Sequence, residues 1–129
     1  MVENIRIDGT ENSPEVDFDF QANAFQLRGM SYLEDVNAFF KPVLDSLRGH
    51  LEGQQDADVA FTVELTYFNS SSARILLRIF DCLEAAAEKG NRVTVTWRYA
   101  EDDDTMEEQG EDLGEELEHA QFRMEAVPD

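Results

Sequence analysis

Two patterns of apolar residues meet near the middle of the chain. In the first, apolar side chains recur at every second position, as in a strand with one buried face, and they are Val59, Phe61, Val63, Leu65 and Tyr67. In the second, they recur every three or four positions, as in a helix, and they are Ala73, Leu76, Leu77, Phe80, Leu83 and Ala87. Residues 69–72 lie between the two patterns, so the sequence predicts a strand-to-helix turn there.

Alternating apolar positions predict further strands on both sides of this turn. They cover residues 4–8, 16–20, 24–28, 93–99 and 122–126, and the second and third of these are expected to form a hairpin. Lys89 and Gly90 are typical of a helix end, so the central helix is expected to stop there. The order strand, helix, strand predicts two parallel strands joined by a right-handed crossover.

The polar side of the two central strands indicates how the layers are arranged. It carries Thr62, Glu64, Thr66, Thr94, Thr96 and Arg98. Parallel strands covered on both faces are usually apolar throughout, so we expect the helices mainly on one face. The other face is expected to be hydrated or covered by a partner. The predicted fold class is therefore α/β, a mixed sheet in a single domain that spans residues 1–129.

Two more helices are predicted outside the central unit. An apolar stripe over residues 33–51 indicates the first, capped by Ser31 or a neighbour. Pro42 removes one backbone hydrogen bond, so we expect a kink or a break near Phe39. Residues 101–118 hold eleven acidic residues and no Lys or Arg, with a thin apolar stripe of Met106, Leu113 and Leu117.

Composition narrows the possible partners and locations. The 129 residues are 42% hydrophobic, which is enough for one domain with a core. The net charge of −19 argues against binding of nucleic acid or of an anionic membrane, and favours a basic partner. No apolar run reaches the roughly 18 residues of a membrane span. The start of the chain lacks the pattern of a signal peptide, so the protein is expected to be cytoplasmic.

Candidate catalytic and metal-binding groups are few. The run from Asp102 through Asp104 lacks the spacing of a calcium loop, and it is typical of a solvated helix start. His50 and His119 adjoin no nucleophile motif. Cys82 is the single cysteine, and its place in the helical pattern favours packing. The sequence therefore predicts no metal, no cofactor and no enzyme activity.

The serine-rich turn is the most informative candidate site. Asn69 or one of the serines can cap the helix, because their side-chain oxygens accept hydrogen bonds from free N–H groups of the first turn. A phosphorylation switch is the alternative, since a phosphate on Ser70 would lie at the positive end of the helix dipole, with Arg74 one turn further on. Tyr67 and Phe68 are either core residues or an aromatic anchor for a partner.

Short motifs along nearly the whole chain resemble one bacterial family. They are Gly9-Thr10 with Ser13-Pro14, residues 16–19, Gly29-Met30-Ser31-Tyr32 with Glu34, residues 65–72, Phe80-Asp81 with Leu83-Glu84, Lys89-Gly90, Val95-Thr96-Trp97 with Tyr99, and Asp103-Asp104 through Gly110-Glu111-Asp112. In order and spacing they resemble the SiaC-type regulatory phosphoproteins. These are similar in architecture to STAS-domain antagonists of anti-sigma factors, so the resemblance implies a STAS-like fold.

The resemblance implies a non-enzymatic partner-switching protein. A Ser/Thr protein kinase would phosphorylate it, a PP2C-like phosphatase would reverse this, and the unmodified form would bind and activate a diguanylate cyclase, which promotes cyclic-di-GMP synthesis, aggregation and biofilm formation. The phosphoacceptor position falls on Ser70, where the family has Thr, with Ser71 and Ser72 as alternatives. Leu33 stands where family members often have Pro. The predicted partner-binding residues are Thr66, Tyr67, Phe68, Asn69, Ser71 and Arg74.

Three other functions remain open at this point. A STAS-like antagonist would capture an anti-sigma factor instead of a cyclase. An acidic decoy would bind a basic protein through residues 101–118, with a salt dependence that does not involve Ser70. An enzyme would use the clustered carboxylates of the same segment.

Overall fold

One six-stranded sheet organises the protein. The computed structural model describes residues 4–128. The strands are β1 (Ile5–Ile7), β2 (Glu15–Asp19), β3 (Ala24–Ser31), β4 (Asp58–Phe68), β5 (Arg92–Ala100) and β6 (Gln121–Val127), and they lie side by side in chain order. The helices are α1 (Val36–Glu52), α2 (Ser70–Glu88) and α3 (Asp104–Gly114). β1 to β3 pair antiparallel, whereas β3 to β6 pair parallel through the helical connections. The predicted mixed α/β fold is confirmed.

The core lies on one face of this sheet, under the helices. Alternate residues of the central strands are buried there, including Phe61, Val63 and Trp97. The intervening residues point to the opposite face and are half-exposed or exposed, as the polar pattern predicted. Arg98 on that face forms ion pairs with Glu64 (2.7 Å) and Glu125 (3.4 Å). Within residues 4–128, no helix covers this second face.

The start of α1 differs from the prediction. Asp35 caps the helix, because its Oδ1 accepts a hydrogen bond from the backbone N–H of Ala38 (3.0 Å). Ser31 lies at the end of β3 and is buried, so it does not act as the cap. The helix continues without a break through Pro42 to Glu52. The carbonyl of Ala38 loses its helical donor, but this residue is exposed and water can replace the missing bond.

The end of α2 agrees with the prediction. Lys89 closes the helix, and Gly90 adopts a positive φ of 107°, which a residue without Cβ adopts at little cost. The next residue, Asn91, is buried and fixes the connection to β5. Its Oδ1 accepts from the N–H of Ala57 (2.9 Å), and its Nδ2 donates to the carbonyl of Ala86 (3.0 Å).

The acidic segment forms a shorter helix than its composition suggested. Asp103 caps α3, and Met106 and Leu113 face the core as predicted. Gly110 lets the helix approach Trp97 closely, since a Cβ built there would lie 2.4 Å from the indole Cδ1. The indole N–H donates to the carbonyl of Met106 (3.0 Å). Leu117 is half-buried in the turn that follows the helix.

Candidate functional site

A single residue, Asn69, separates β4 from α2 and fixes the turn between them. Its backbone is extended (φ −87°, ψ 174°), and its Oδ1 accepts from the N–H of Ser72 at 2.9 Å. Its Nδ2 donates to the carbonyl of Leu33 (3.3 Å), and its N–H donates to the carbonyl of Ser31 (3.1 Å). Asn69 therefore caps the helix, which confirms one of the two predicted alternatives for the cap. Its hydrogen bonds also connect the turn to the segment after β3.

The three serines of the turn have different environments. Ser70 and Ser71 are exposed at the first two positions of α2. Ser72 is buried, and its Oγ donates to the carbonyl of Ser31 (3.0 Å). The Ser31 hydroxyl lies 2.6 Å from the same Oγ, and it is the donor of this pair because the proton of Ser72 is already engaged. A kinase can reach Ser70 and Ser71, whereas the Ser72 hydroxyl is enclosed.

A bulge near the end of β4 changes which side chains face outward. Gly29 pairs with Leu65, but the next residue of β3, Met30, pairs with Tyr67, so Thr66 is an extra residue in β4. An extra residue reverses the alternation beyond it. Tyr67 is consequently exposed, although the alternating pattern had placed it with the core residues. Gly29, beside the bulge, has a φ of 103°.

Phe68 is buried by the same change of phase. Its ring packs edge to face on Trp97, with centroids 5.9 Å apart. The prediction that Phe68 contacts a partner is therefore corrected, because this side chain belongs to the core. Thr66 is exposed, and its Oγ1 donates to the carbonyl of Gly29 (3.2 Å).

Two tyrosines form an exposed aromatic pair beside the serines. Tyr67 and Tyr32 are the exposed large hydrophobic residues of the described chain, at 45% and 55% exposure, and their ring centroids are 5.8 Å apart. The N–H of Tyr32 donates to the carbonyl of Asn12 (2.7 Å), which holds this segment in place. The sequence analysis did not assign Tyr32 to the site. It lies 35 positions before Tyr67 in the chain, and only the pairing of β3 with β4 brings the two together.

The electrostatics around Ser70 suit a group that gains negative charge. Ser70 occupies the first turn of α2, where the N–H groups of the helix are directed outward. Arg74 is exposed one turn later, and in the part of the chain that the structure describes it forms no ion pair. Arg74 is therefore available to a charged group on a neighbouring molecule or on Ser70.

A second polar cluster lies at the other end of α2. Glu84 Oε1 accepts from the N–H groups of Glu118 (3.1 Å) and Ala120 (2.9 Å), and Oε2 lies 2.8 Å from His119 Nδ1. Burial alone raises the pKa of Glu84, but the hydrogen bonds from Ala120, His119 and Glu118 outweigh this and lower it to about 2. The pKa of His119 is raised, chiefly by its hydrogen bond to Glu84.

Glu88 completes the one group of three potential metal ligands found among residues 4–128, with Glu84 and His119. The sequence did not indicate this group. Its central carboxylate already accepts several protein donors, so the cluster serves as a structural link between α2 and the turn before β6. His50, the other histidine, is half-buried, and its ring lies edge-on to Phe20 and Phe25. Burial lowers its pKa.

Comparison with known proteins identifies the family. The sequence model described as "SiaC family regulatory phosphoprotein" matches residues 7–127. The chain belongs to the SiaC family. The relatives include an uncharacterised protein of Pseudomonas aeruginosa strain UCBPP-PA14, which is 30% identical over 114 residues. The alignment covers 88% of this chain and 89% of that protein.

Solved structures of the SiaC family have the same architecture. Apo-SiaC from Pseudomonas aeruginosa superposes with a TM-score of 0.87 at 28% identity, over 97% of this chain and 100% of that one. A second structure shows the diguanylate cyclase SiaD in complex with its activator SiaC from the same organism. That match has a TM-score of 0.89 at 28% identity and covers 95% of this chain and 99% of the other. The described part of this chain has no helix that is both long and apolar enough to cross a bilayer.

Proposed function

We propose that this member of the SiaC family is a non-enzymatic partner-switching protein controlled by reversible phosphorylation of Ser70. In this proposal its unphosphorylated form binds and activates a diguanylate cyclase in the cytoplasm. The observation that carries the proposal is the position of Ser70, an exposed hydroxyl at the start of a helix beside the exposed Tyr32 and Tyr67 rings. A SiaC relative of the same fold has been solved in complex with the cyclase that it activates.

Exposure favours two of the three candidate hydroxyls over the third as phosphorylation sites. A kinase must enclose the acceptor and its neighbours, and the hydroxyl of Ser72 is not accessible because it is bonded to Ser31. Ser71 is exposed as well. Ser70 is favoured because it is the first residue of the helix and follows the rigid cap at Asn69. Ser70 also has Arg74 one turn away.

The proposed partner surface comprises exposed residues on both sides of the turn together with the half-buried cap, Asn69. It contains Thr66, Tyr67, Asn69, Ser71 and Arg74 from the predicted set, together with Tyr32. Exposed aromatic side chains beside a rigid turn are suited to a buried anchor at the centre of an interface. A phosphate on Ser70 would add a charge of about −1.5 to −2 next to these rings, and burying that charge against a partner is costly.

The magnitude required of the phosphate is reasonable for a switch. Moving occupancy from about 99% bound to about 1% bound needs roughly 5.5 kcal/mol of differential affinity. An unpaired charge buried in an interface costs several kcal/mol, so one phosphate can supply much of this difference. A Ser/Thr kinase and a PP2C-like phosphatase would set the phosphorylation state, and no cofactor is involved.

The acceptor can be located by intact and peptide mass spectrometry after incubation with the cognate kinase and ATP. We expect one phosphate on the peptide that contains Ser70, and none on the Ser70→Ala variant. Ser71→Ala is the matched control, because this neighbour is equally exposed, and it should be phosphorylated as the unmodified sequence is. Phosphorylation of Ser70→Ala at an unchanged rate would show that the acceptor is wrongly assigned.

The switch itself can be tested by titrating the cognate cyclase and measuring both binding and cyclic-di-GMP production. The unphosphorylated protein is expected to bind and activate, and the phosphorylated protein to do neither. Tyr67→Ala should weaken binding by about tenfold or more, because the truncation removes an aromatic anchor, while the fold remains intact. Equal binding by the phosphorylated and unphosphorylated forms would contradict the proposal.

A further inference from the structure

A groove runs along the outer seam between α1 and α2. One part has a volume of about 370 Å³, and a second part of about 290 Å³ joins it at Arg48 and Arg78, which line both. The floor is largely apolar and consists of Leu44, Leu51, Ile75, Cys82, Ala85 and Ala86. This groove, the α1–α2 seam, is not used by the function proposed above.

The seam carries a small excess of basic residues, unlike the chain as a whole. Lys41, Arg48, Arg78 and Lys89 line it, which is four of the ten basic residues of the chain. Three of the 29 acidic residues are present, namely Asp45, Glu52 and Asp81. Lys41 and Arg48 are already paired with Asp45, at 3.2 and 3.8 Å, which leaves Arg78 and Lys89 outside the ion pairs of residues 4–128. These two unpaired cations favour an anionic group in the groove.

The spacing of the lining residues indicates the shape of that occupant. On α1 the seam is lined by positions 37, 41, 44, 45, 48, 51 and 52, and on α2 and its C-cap by positions 75, 78, 81, 82, 85, 86 and 89. In both sets the positions recur at intervals of three and four residues, so each helix presents one face to the groove. The faces extend for about 20 Å at a rise of about 1.5 Å per residue. A helix fits between two such faces by packing its ridges into the groove.

We propose that the α1–α2 seam is a docking site for an acidic amphipathic helix of a partner protein. The helix would place small and medium apolar residues on the floor. Its Asp and Glu residues would lie along the flanks, within reach of Arg78 and Lys89. Arg78 is exposed and, among the residues described, forms no ion pair. Its guanidinium can accordingly bind a carboxylate without first losing another partner.

Other occupants match the seam less well. A second copy of this chain would offer α3, but the apolar residues of that helix, Met106 and Leu113, are buried against its own sheet. Carboxylates alone would then face the seam, and its apolar floor would stay hydrated. A small anion would leave most of the floor uncovered in the same way. This inference does not depend on phosphorylation of Ser70.

The test is an NMR titration of the ¹⁵N-labelled full chain with a synthetic, end-capped helical peptide of about 16 residues, the length of the seam. Leu and Ala occupy one face of the peptide and Glu residues flank them. We expect saturable shifts confined to α1 and α2 residues of the seam. A second peptide with Lys in place of every Glu should bind at least about tenfold more weakly, because like charges would face each other. No binding, or shifts centred on Tyr32 and Tyr67, would overturn the proposal.

Two matched charge reversals distinguish the effect of a charge in the seam from the effect of the net charge of the protein. Arg78→Glu should weaken binding of the acidic peptide by about tenfold or more. Arg123→Glu changes the net charge equally but lies in β6, and Arg123 is likewise exposed and outside the ion pairs of residues 4–128. This control should stay within about twofold of the unmodified chain, since long-range repulsion is screened at physiological salt. Equal losses in the two variants would overturn the proposal.

The Ser70→Ala variant distinguishes peptide binding at the seam from the phosphorylation switch proposed above. It should abolish phosphorylation by the kinase and leave peptide affinity within about twofold, because a neutral methyl at the start of α2 alters no charge in the seam. Loss of peptide binding in Ser70→Ala would show that the two surfaces are one, which contradicts the proposal.

Discussion

Substituting the serines of the turn after β4 should change the free energy of unfolding by very different amounts. Ser72→Ala removes a buried hydroxyl that bonds both to the carbonyl and to the hydroxyl of Ser31. It leaves the buried Ser31 hydroxyl without its acceptor, whereas the Ser31 carbonyl keeps its hydrogen bond from the N–H of Asn69. The loss should lower the free energy of unfolding by about 1–3 kcal/mol. Ser70→Ala changes an exposed side chain and should stay within about 0.5 kcal/mol of the original stability. Urea denaturation of both variants checks this, and a stable Ser72→Ala would show that the buried pair is not structural.

Single residues of the site were predicted where local chemistry alone decides their role. Asn69 and the serines were the expected caps, and Asn69 takes this role because its side-chain oxygen reaches the N–H of Ser72, three residues on. Alternation placed Tyr67 with the core residues, but the bulge at Thr66 brings Tyr67 to the surface and buries Phe68. A one-residue insertion leaves no trace in the composition of a strand. Tyr32 was missed because its place in the site depends on strand pairing rather than on a local pattern.

The packing of α3 on the sheet depends on a residue without a side chain. Gly110→Ala would place a methyl within 2.4–2.8 Å of three atoms of the buried Trp97 ring. The helix must then move away from β5, which should cost about 1–3 kcal/mol. Gly49→Ala is the matched control, since the added Cβ meets nothing within 4 Å in the last turn of α1. That variant should gain roughly 0.5–1 kcal/mol from helix propensity. Thermal unfolding checks both variants: the unfolding temperature should fall for Gly110→Ala and rise for Gly49→Ala.

The link between α2 and the turn before β6 should make stability depend on pH. The pKa of Glu84 is about 2 in the folded chain, against 4.5 as its ordinary value, so its contribution is present above pH 4.5 and is lost as the pH falls toward 2. The pKa of His119 is raised, so its contribution is present below its ordinary value of 6.5 and is lost as the pH rises through the folded value. The link is therefore strongest between about pH 4.5 and 6.5.

Glu84→Gln tests this dependence. The amide keeps one acceptor oxygen but loses the charge, so the variant should be less stable by about 1–2 kcal/mol within that pH window. The difference should narrow at lower pH, where the carboxylate of the unmodified chain becomes protonated. Urea denaturation across a pH series provides the measurement, and Glu88→Gln is the control, because Glu88 accepts none of these backbone hydrogen bonds. A constant difference at all pH values would contradict the assignment.

Helices and strands were predictable wherever burial imposes a regular period. β4 and α2 were identified because a one-sided core enforces alternation in the strand and a stripe on the helix. The start of α1 was not, because Ser31 and Asp35 are both good caps by composition and only the buried environment of Ser31 decides between them. α3 ends earlier than its acidic composition suggested, since the last apolar position, Leu117, packs from a turn.

The whole molecule carries far more negative than positive charge, and this should destabilise it at low ionic strength. A net charge of −19 on 129 residues produces self-repulsion that salt screens. We expect the thermal unfolding temperature to rise by several degrees between about 10 mM and about 150 mM NaCl, because the Debye length falls from about 30 Å to about 8 Å.

Neutralising part of the acidic segment identifies the source of the repulsion. Glu108 and Glu111 are exposed on α3, so Glu108→Gln with Glu111→Gln removes two charges without touching the core. The double variant should be more stable at low salt and should show a smaller salt effect. The same salt dependence in the variant and the unmodified chain would place the repulsion elsewhere in the molecule.

The extra residue in β4 has a consequence for how proteins of this architecture diverge. It detaches the outward position 67 from the alternation that governs the interior, so the framework tolerates almost any side chain there. If position 67 contacts a partner as proposed, a single codon change there can alter recognition with little effect on folding. Lineages that share an unchanged scaffold are free to acquire different targets.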